Sequence, residues 1–279
     1  ADTKAEARAK LQGFGLKIGH PEQWRDYTAL QVARGDVLGN ALRSRRFEWD
    51  RDRNRIGQPV DKAEWGMTPQ TVNAYYSAVK NEIVFPAAIL QPPFFDPDAD
   101  PAVNYGAIGG VIGHEIIHGF DDQGRKSDGN GMLRDWWTAE DARKFEAQAA
   151  KLGAQYEAFV FPQLPGMHIN GKTAMGENIG DLGGLTIALE AYRRSLDGRP
   201  AAVIDGFSGE QRFFLGWSQV WRILWRDDAL RQQLVNGTHS PGQIRAFAPL
   251  RNIDAWYDAF DVAEGDPLWI APDDRVRIW

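Results

Sequence analysis

The sequence predicts a mainly helical α+β fold with one small sheet. Apolar residues recur at helical spacing along most of the 279-residue chain, the periodicity of a helix with one buried face. β-prone residues in a strand-like run are confined to 75–85, where Val79, Ile83, Val84 and Phe85 precede the terminating Pro86. No internal repeat or low-complexity tract is evident.

Residues 4–12 and 22–47 are expected to be helices, the second because Trp24, Tyr27, Leu30 and Val37 fall at roughly helical spacing. The stretch 47–59 is rich in charge (Glu48, Asp50, Arg51, Asp52, Arg53, Arg55) and reads as a solvated connection. Pro92-Pro93 followed by Asp96-Pro97-Asp98 marks a loop. A helix is expected over 103–119, stopped at Gly119, and a loop over 121–130, where Asp128-Gly129-Asn130-Gly131 carries turn signals. That loop is acidic, but it lacks the alternating Asp/Asn ligands and terminal Glu of an EF-hand. Thr138 reads as an N-cap with Glu140 and Asp141 in the first turn, opening a helix to residue 159. After a loop over 162–171, a helix over 173–195 carries Glu177. Ser208 and Gln211 have capping-box spacing and open an aromatic-rich helix through Trp217, Trp221 and Trp225.

The segment His114-Glu115-Ile116-Ile117-His118 is chemically the most informative. Residues i and i+4 are neighbours on a helix face, so two imidazoles aim at one point. That is two-thirds of a catalytic zinc site, with Glu115 placed as general base toward the water such a site activates. A third protein ligand leaves the fourth position open. Glu177-Asn178-Ile179-Gly180-Asp181 offers Glu177 as that ligand, and Asp181, one turn later, to fix the tautomer of a ligand histidine. A lone H-E-x-x-H also occurs on solvated helix faces. Here Val111, Ile112, Ile116 and Ile117 surround the first segment, and Met175, Ile179, Leu182 and Leu185 the second. Polar groups in such apolar runs must pair or coordinate, because burying them unpaired is costly. The expectation is a zinc peptidase with one Zn2+ per chain on His114, His118 and Glu177.

Composition sets further bounds. A content of 43% hydrophobic and 25% charged residues argues against disorder, and the length permits one large domain or two lobes. A formal net charge of -6 gives no support for nucleic-acid binding, which favours a basic face. No run approaches roughly eighteen consecutive apolar residues, so no transmembrane segment is expected in this chain. The opening Ala1-Asp2-Thr3-Lys4-Ala5-Glu6 is a charged helical start rather than a signal peptide. Cysteine is absent, which excludes a thiolate zinc site, a cysteine nucleophile and a disulfide framework. The sequon Asn236-Gly237-Thr238 and the tripeptide Arg34-Gly35-Asp36 are read as chance.

These motifs resemble those of the neprilysin and endothelin-converting-enzyme family. Val72-Asn73-Ala74-Tyr75-Tyr76 and the run from Ile83 to Phe95 (IVFPAAILQPPFF) are similar to the approach to that family's zinc helix. So are Asn104-Tyr105-Gly106, the stretch from His114 to Arg125 (HEIIHGFDDQGR), Gly176-Glu177-Asn178-Ile179 with Asp181, His239-Ser240-Pro241 with Arg245, and Ile278-Trp279. The resemblance runs from Glu6 to the last residue in the family's order and covers its C-terminal, zinc-carrying part. Residues 1–279 are therefore expected to be one catalytic domain, without the family's large N-terminal helical region, which roofs the site and helps bind the substrate's C-terminal carboxylate.

The resemblance implies a thermolysin-like zinc metallopeptidase domain, its small sheet beside the zinc helix and its site between that helix and the Glu177 helix. It implies His239 as donor to the tetrahedral oxyanion; without the resemblance His239 is an ordinary loop histidine. It implies Arg245 for a substrate carbonyl, and Asn73 with Ala74 as a clamp on an extended peptide backbone. Ile89, Phe94, Val111, Val220 and Trp221 would line an apolar pocket for the residue after the scissile bond, giving cleavage of oligopeptides on the amino side of large apolar residues. The family commonly has an Asp two residues before the oxyanion histidine, where this chain has Gly237; such an Asp would hold the histidine charged. Animal members are disulfide-stapled ectodomains and bacterial members often are not, so the resemblance together with the lack of cysteine implies an exported bacterial protein, periplasmic or extracellular; the lack of cysteine by itself fits a cytosolic protein equally well. The rival reading is a non-catalytic, zinc-stabilised peptide-binding fragment or subunit, opposed by the intact Glu115 and ligands. An aminopeptidase needs an acidic cluster for a free α-amine, and none is identified. The expected partners are oligopeptide substrates and, unless the lobe folds alone, a separate or cleaved N-terminal chain.

Overall fold

The computed structural model describes residues 2–278; Ala1 and Trp279, the latter part of the C-terminal match, lie outside the described residues. Helix α1 (Asp2–Gln12) leads into strand β1 (Gly15–Gly19), and helix α2 (Val37–Asn54) follows an irregular stretch. Strands β2 (Tyr75–Ser77) and β3 (Glu82–Pro86) complete a sheet of order β1-β3-β2. β1 runs parallel to β3, with Lys17 opposite Val84, and β2 antiparallel, with Tyr75 opposite Val84. The central strand β3 is buried along its whole length, which is why it reads as a near-continuous apolar run. Its buried Glu82 is compensated by Lys17 of β1 at 2.9 Å. β1 itself has no sequence signal of its own: Leu16 and Ile18 face solvent, and pairing with β3 is what makes the segment a strand.

Helix α3 (Pro101–Asn104), a π-helical turn (Tyr105–Gly109) and α4 (Gly110–Ile117) run on without a break. Then come α5 (Ala139–Glu157), α6 (Met175–Ser195), α7 (Gly209–Val220), α8 (Asp227–Asn236), α9 (Gly242–Arg245) and α10 (Asp254–Phe260). The Thr138 side chain accepts from the Asp141 amide to cap α5, and Ser208 with Gln211 makes both bonds of a capping box on α7. Among the described residues no helix is long and apolar enough to cross a membrane.

Three local expectations are corrected. Residues 22–36 are not helical, and the helix expected to end at 47 instead occupies Val37–Asn54. Gly35 adopts a positive φ of 79°, and the Asp36 side chain caps the new helix by accepting from the Gly39 amide at 2.9 Å. The charges of 47–54 support this helix rather than interrupt it, because Arg46 with Asp50 and Arg53 with Asp50 pair at i,i+4 and i,i+3 spacing. No residue of α2 is buried, and Val37, Leu38, Leu42 and Trp49 all stand exposed. At the other end of the chain, α7 stops at Val220 and leaves Trp225 beyond it. Trp221 turns out of the helix, its ring against Trp217 on one side and the Arg245 guanidinium, 3.8 Å away, on the other.

The core gathers around α4, α6 and α7, where Ile179, Leu185, Phe213, Phe214 and Trp217 are fully buried. Helix α6 carries Gly180, Gly183 and Gly184 in its interior, each costing about 0.5–1 kcal/mol relative to alanine. Their use is close approach: a Cβ on Gly184 would lie 2.4 Å from the His114 amide nitrogen and 2.8 Å from the Gly110 carbonyl oxygen. Both obstacles are backbone, so a side chain there forces the helices apart. Gly184→Ala is accordingly expected to destabilise the protein by about 1–3 kcal/mol, the range for overpacking, despite the better helix propensity of alanine. An unchanged melting temperature would show that α4 and α6 do not depend on this contact.

Candidate metal centre

The glycine-mediated crossing of α4 and α6 brings the two chemically informative segments face to face. His114 and His118 project from one side of α4 and its C-terminal cap, their rings 4.4 Å apart and nearly perpendicular. Glu177 enters from the first turn of α6, with Oε2 3.3 Å from His114 Nε2 and Oε1 3.6 Å from His118 Nε2. One ligand atom from each of these residues falls within 4.8 Å of the others. No other group of His, Cys, Asp and Glu among the described residues could hold a metal in this way.

Each imidazole is oriented from behind. His114 Nδ1 faces Asp181 Oδ1 at 2.9 Å, and His118 Nδ1 faces Asp121 Oδ2 at 2.7 Å. Burial disfavours the charged form of Asp181, but the Arg245 guanidinium outweighs it and holds the carboxyl below its usual range. An ionised Asp181 only accepts, so His114 Nδ1 carries a proton and Nε2, on the Glu177 side of the ring, is the nitrogen left to bind a metal once its own proton is displaced. Burial would lower the His114 pKa; the carboxylates of Asp181 and Glu177 overcome that and push it up to about 10 in the metal-free protein. Glu177 is held low in turn, burial being outweighed by His114 and His239.

The donor set fits zinc. Two imidazole nitrogens and one carboxylate match a catalytic zinc site that keeps a position open. Glu177 Oε2 is buried and makes no hydrogen bond of good geometry, although His239 Nε2 stands 3.0 Å away. Glu115 is 5% exposed, and its Oε2 also lacks a partner. Burial raises the Glu115 pKa, which suits a group that must accept and then release a proton.

All of these side chains except Asp121 and Asp181 open onto one cavity of about 620 Å³. Its walls include Asn73, Ala74, Ile89, Phe94, Val111, Val220, Trp221, His239 and Arg245, so every residue singled out as substrate-binding borders the same space. Ala74 leads into β2, an edge strand of the sheet. The Asn73 Oδ1 accepts from the Ala74 amide at 2.9 Å. Arg245 is at the wall, but its Nε and Nη2 are committed to Asp181 at 2.8 and 2.6 Å. Removing Asp181 therefore does two things at once. Asp181→Ala is expected to weaken metal binding by about 10–100-fold, and to destabilise the fold by about 3–5 kcal/mol because the buried Arg245 loses the carboxylate that makes both of its hydrogen bonds. A chelator competition and a melting curve read the two effects separately, and no change in either would reduce Asp181 to a bystander.

Sequence reasoning missed Asp121, although its i+3 spacing from His118 was a usable signal. It also missed the bond from Ser240 Oγ to Asn178 Oδ1 at 2.7 Å. That buried contact ties the loop carrying His239 to the helix carrying Glu177.

Residues 73–276 match the model of "Peptidase family M13". An endothelin-converting enzyme homolog of Locusta migratoria is 38% identical over 283 residues, covering 100% of this chain and 38% of its own. Neprilysin of Homo sapiens is 35% identical over 290 residues, covering 100% of this chain and again 38% of its own. A zinc metalloprotease of Mycobacterium tuberculosis, solved in complex with an inhibitor, superposes with a TM-score of 0.96 at 54% identity, over 100% of this chain and 43% of that one. The chain thus spans well under half the length of these relatives.

Proposed function

The chain belongs to peptidase family M13, and from that premise we propose that residues 1–279 form one zinc metalloendopeptidase domain that hydrolyses internal peptide bonds of oligopeptides. The observation that carries this reading is the convergence of His114, His118 and Glu177 beside the buried, unpartnered Oε2 of Glu115. One zinc held by the three ligands would polarise the scissile carbonyl and activate water for attack. Glu115 Oε2 accepts the water proton and returns it to the amine that leaves as the C–N bond breaks. His239, half exposed at the cavity rim, donates to the oxyanion through Nε2. Asn73 and Ala74, next to the edge strand β2, hold an extended substrate by strand addition. Arg245 holds Asp181 and presents the rest of its guanidinium to the cavity.

Ile89, Phe94, Val111, Val220 and Trp221 give the cavity an apolar side, which supports cleavage on the amino side of large apolar residues. The exposed apolar residues of α2 support a further covering chain, N-terminal and either continuous or separate. Family membership supports export.

The test is mass-spectrometric mapping of cleavage sites in a mixed peptide library, with and without a chelator. Chelator-sensitive cuts before Phe, Leu or Ile are expected; cuts only at chain termini would overturn the endopeptidase reading. Proton linkage offers an independent check. A His114 pKa near 10 means that the metal-free site holds a proton at neutral pH, and zinc must displace it. Zinc affinity should therefore fall as pH is lowered, and calorimetry in buffers of different ionisation enthalpy should register proton release at pH 7. Affinity independent of pH would contradict this.

A further inference from the structure

Lys10 belongs to α1, outside the residues 73–276 that match the family model, yet its side chain ends beside the metal helix. It is 2% exposed. Its Nζ donates to the carbonyl oxygens of Gly119 at 2.6 Å, Gly124 at 2.8 Å and Ser127 at 2.7 Å. An ammonium has three protons, and all three are used. The rings of Tyr76, Phe120 and Trp136 surround it with centroids at 5.7, 5.5 and 5.9 Å, within cation–π range. The residue's backbone is anchored as well: its carbonyl accepts from Asn81 Nδ2 at 3.0 Å, and Asn81 Oδ1 accepts from the Tyr76 hydroxyl at 3.0 Å. Lys10 thus occupies, within a ring of converging carbonyls, the place a bound cation would take.

The same loop holds a ligand histidine. Asp121 Oδ1 accepts from the amides of Gln123 at 2.9 Å and Gly124 at 2.6 Å, while its Oδ2 accepts from His118 Nδ1. Gly124 is pressed against the metal helix, where a Cβ would lie 1.8 Å from the His118 carbonyl oxygen. Lys10 to Gly124, Gly124 to Asp121 and Asp121 to His118 are therefore successive hydrogen bonds along one path.

We propose that Lys10 is a positioning residue of the metal centre, its ammonium locking residues 119–127 so that Asp121 holds the His118 ring with Nε2 toward the ligand position. This rests on the reading of His114, His118 and Glu177 as a zinc site. Without the ammonium the buried Gly119 carbonyl loses its donor, while the Gly124 carbonyl keeps only the Ser127 amide at 3.1 Å and the Ser127 carbonyl only the Trp136 indole at 3.1 Å, and the loop relaxes to find replacements. Asp121 then loosens its hold on His118.

The test is chelator competition for zinc in the full chain, comparing the parent with Lys10→Met, Asp121→Asn and the double variant. Methionine keeps the length of the stem without its charge. Lys10→Met is expected to weaken zinc binding by about tenfold or more, the scale for losing a group that orients a ligand. The double variant should bind no more weakly than Asp121→Asn alone, because both changes break one path. In Lys10→Ala, n-propylammonium should restore affinity while tetramethylammonium at equal ionic strength does not. Parent-like affinity in Lys10→Met, or fully additive losses in the double variant, would overturn the proposal even if the melting temperature fell. Should Lys10→Met fail to fold, Lys10→Arg replaces it: the planar fork cannot direct three bonds from one atom, so weaker zinc binding supports the proposal and unchanged binding overturns it. A parent chain that binds no zinc overturns the metal reading and this proposal together. Tight binding by the parent with an indifferent Lys10 variant overturns this proposal alone.

Discussion

Glu115→Gln is expected to fold and to bind zinc as the parent does, yet to lose turnover by about 10²–10⁴-fold, the contribution of a positioned general base. The amide has the shape of the carboxylate but cannot accept a proton. Glu115 is suited to the role by its surroundings: it is buried, one oxygen has no partner, and desolvation raises its pKa. Because its work is done in the transition state, kcat should fall with little change in KM. Stopped or steady-state assays on an internally quenched peptide provide the comparison, with metal content measured on the same samples. Near-normal hydrolysis by a zinc-loaded Glu115→Gln chain would remove Glu115 from the mechanism and reopen the non-catalytic reading.

The second large effect is expected in Glu177→Ala, which should no longer retain zinc stoichiometrically through dialysis and should lose activity with it. Glu177 supplies the only carboxylate among the three candidate ligands. In the metal-free protein it also balances the positive charge of His114, which its carboxylate helps push up to about 10. The variant therefore loses both a ligand atom and the local negative charge that a divalent cation needs. Metal analysis showing one zinc per chain in Glu177→Ala would mean that the third ligand had been wrongly assigned.

How much of this was legible in the sequence depends on the range of the interactions. Helix spacing places His114 above His118, and the caps Thr138 and Ser208 act within three residues, so these could be read locally. The buried strand Glu82–Pro86 announces itself by composition. In contrast, β1 becomes a strand only by pairing with β3, far along the chain, and its exposed Leu16 and Ile18 give no pattern. The last two turns of the helix at Val37–Asn54 read as a connection because their charge resembles that of a loop, although the charges are spaced to pair along a helix. At the centre itself, the spacing brings His114, His118 and Glu177 to one candidate metal site, but most of the contacts that orient them carry no sequence signal. Arg245 was expected to meet substrate, and its main contact is Asp181. Gly184 looks like a helix weakness until the backbone of α4 is seen against it. Lys10 has no local signal at all, since its three acceptors lie more than a hundred residues away.

The central claim is that two imidazoles and one carboxylate of this chain hold a single catalytic zinc. Zinc K-edge X-ray absorption on the chain reconstituted with one equivalent of metal tests it most directly. The expected spectrum shows two imidazole nitrogens at roughly 2.0–2.1 Å and oxygen neighbours at roughly 2.0–2.2 Å, with one imidazole fewer in His118→Ala. A six-coordinate, all-oxygen ion, or a parent spectrum with no imidazole scattering, would contradict it.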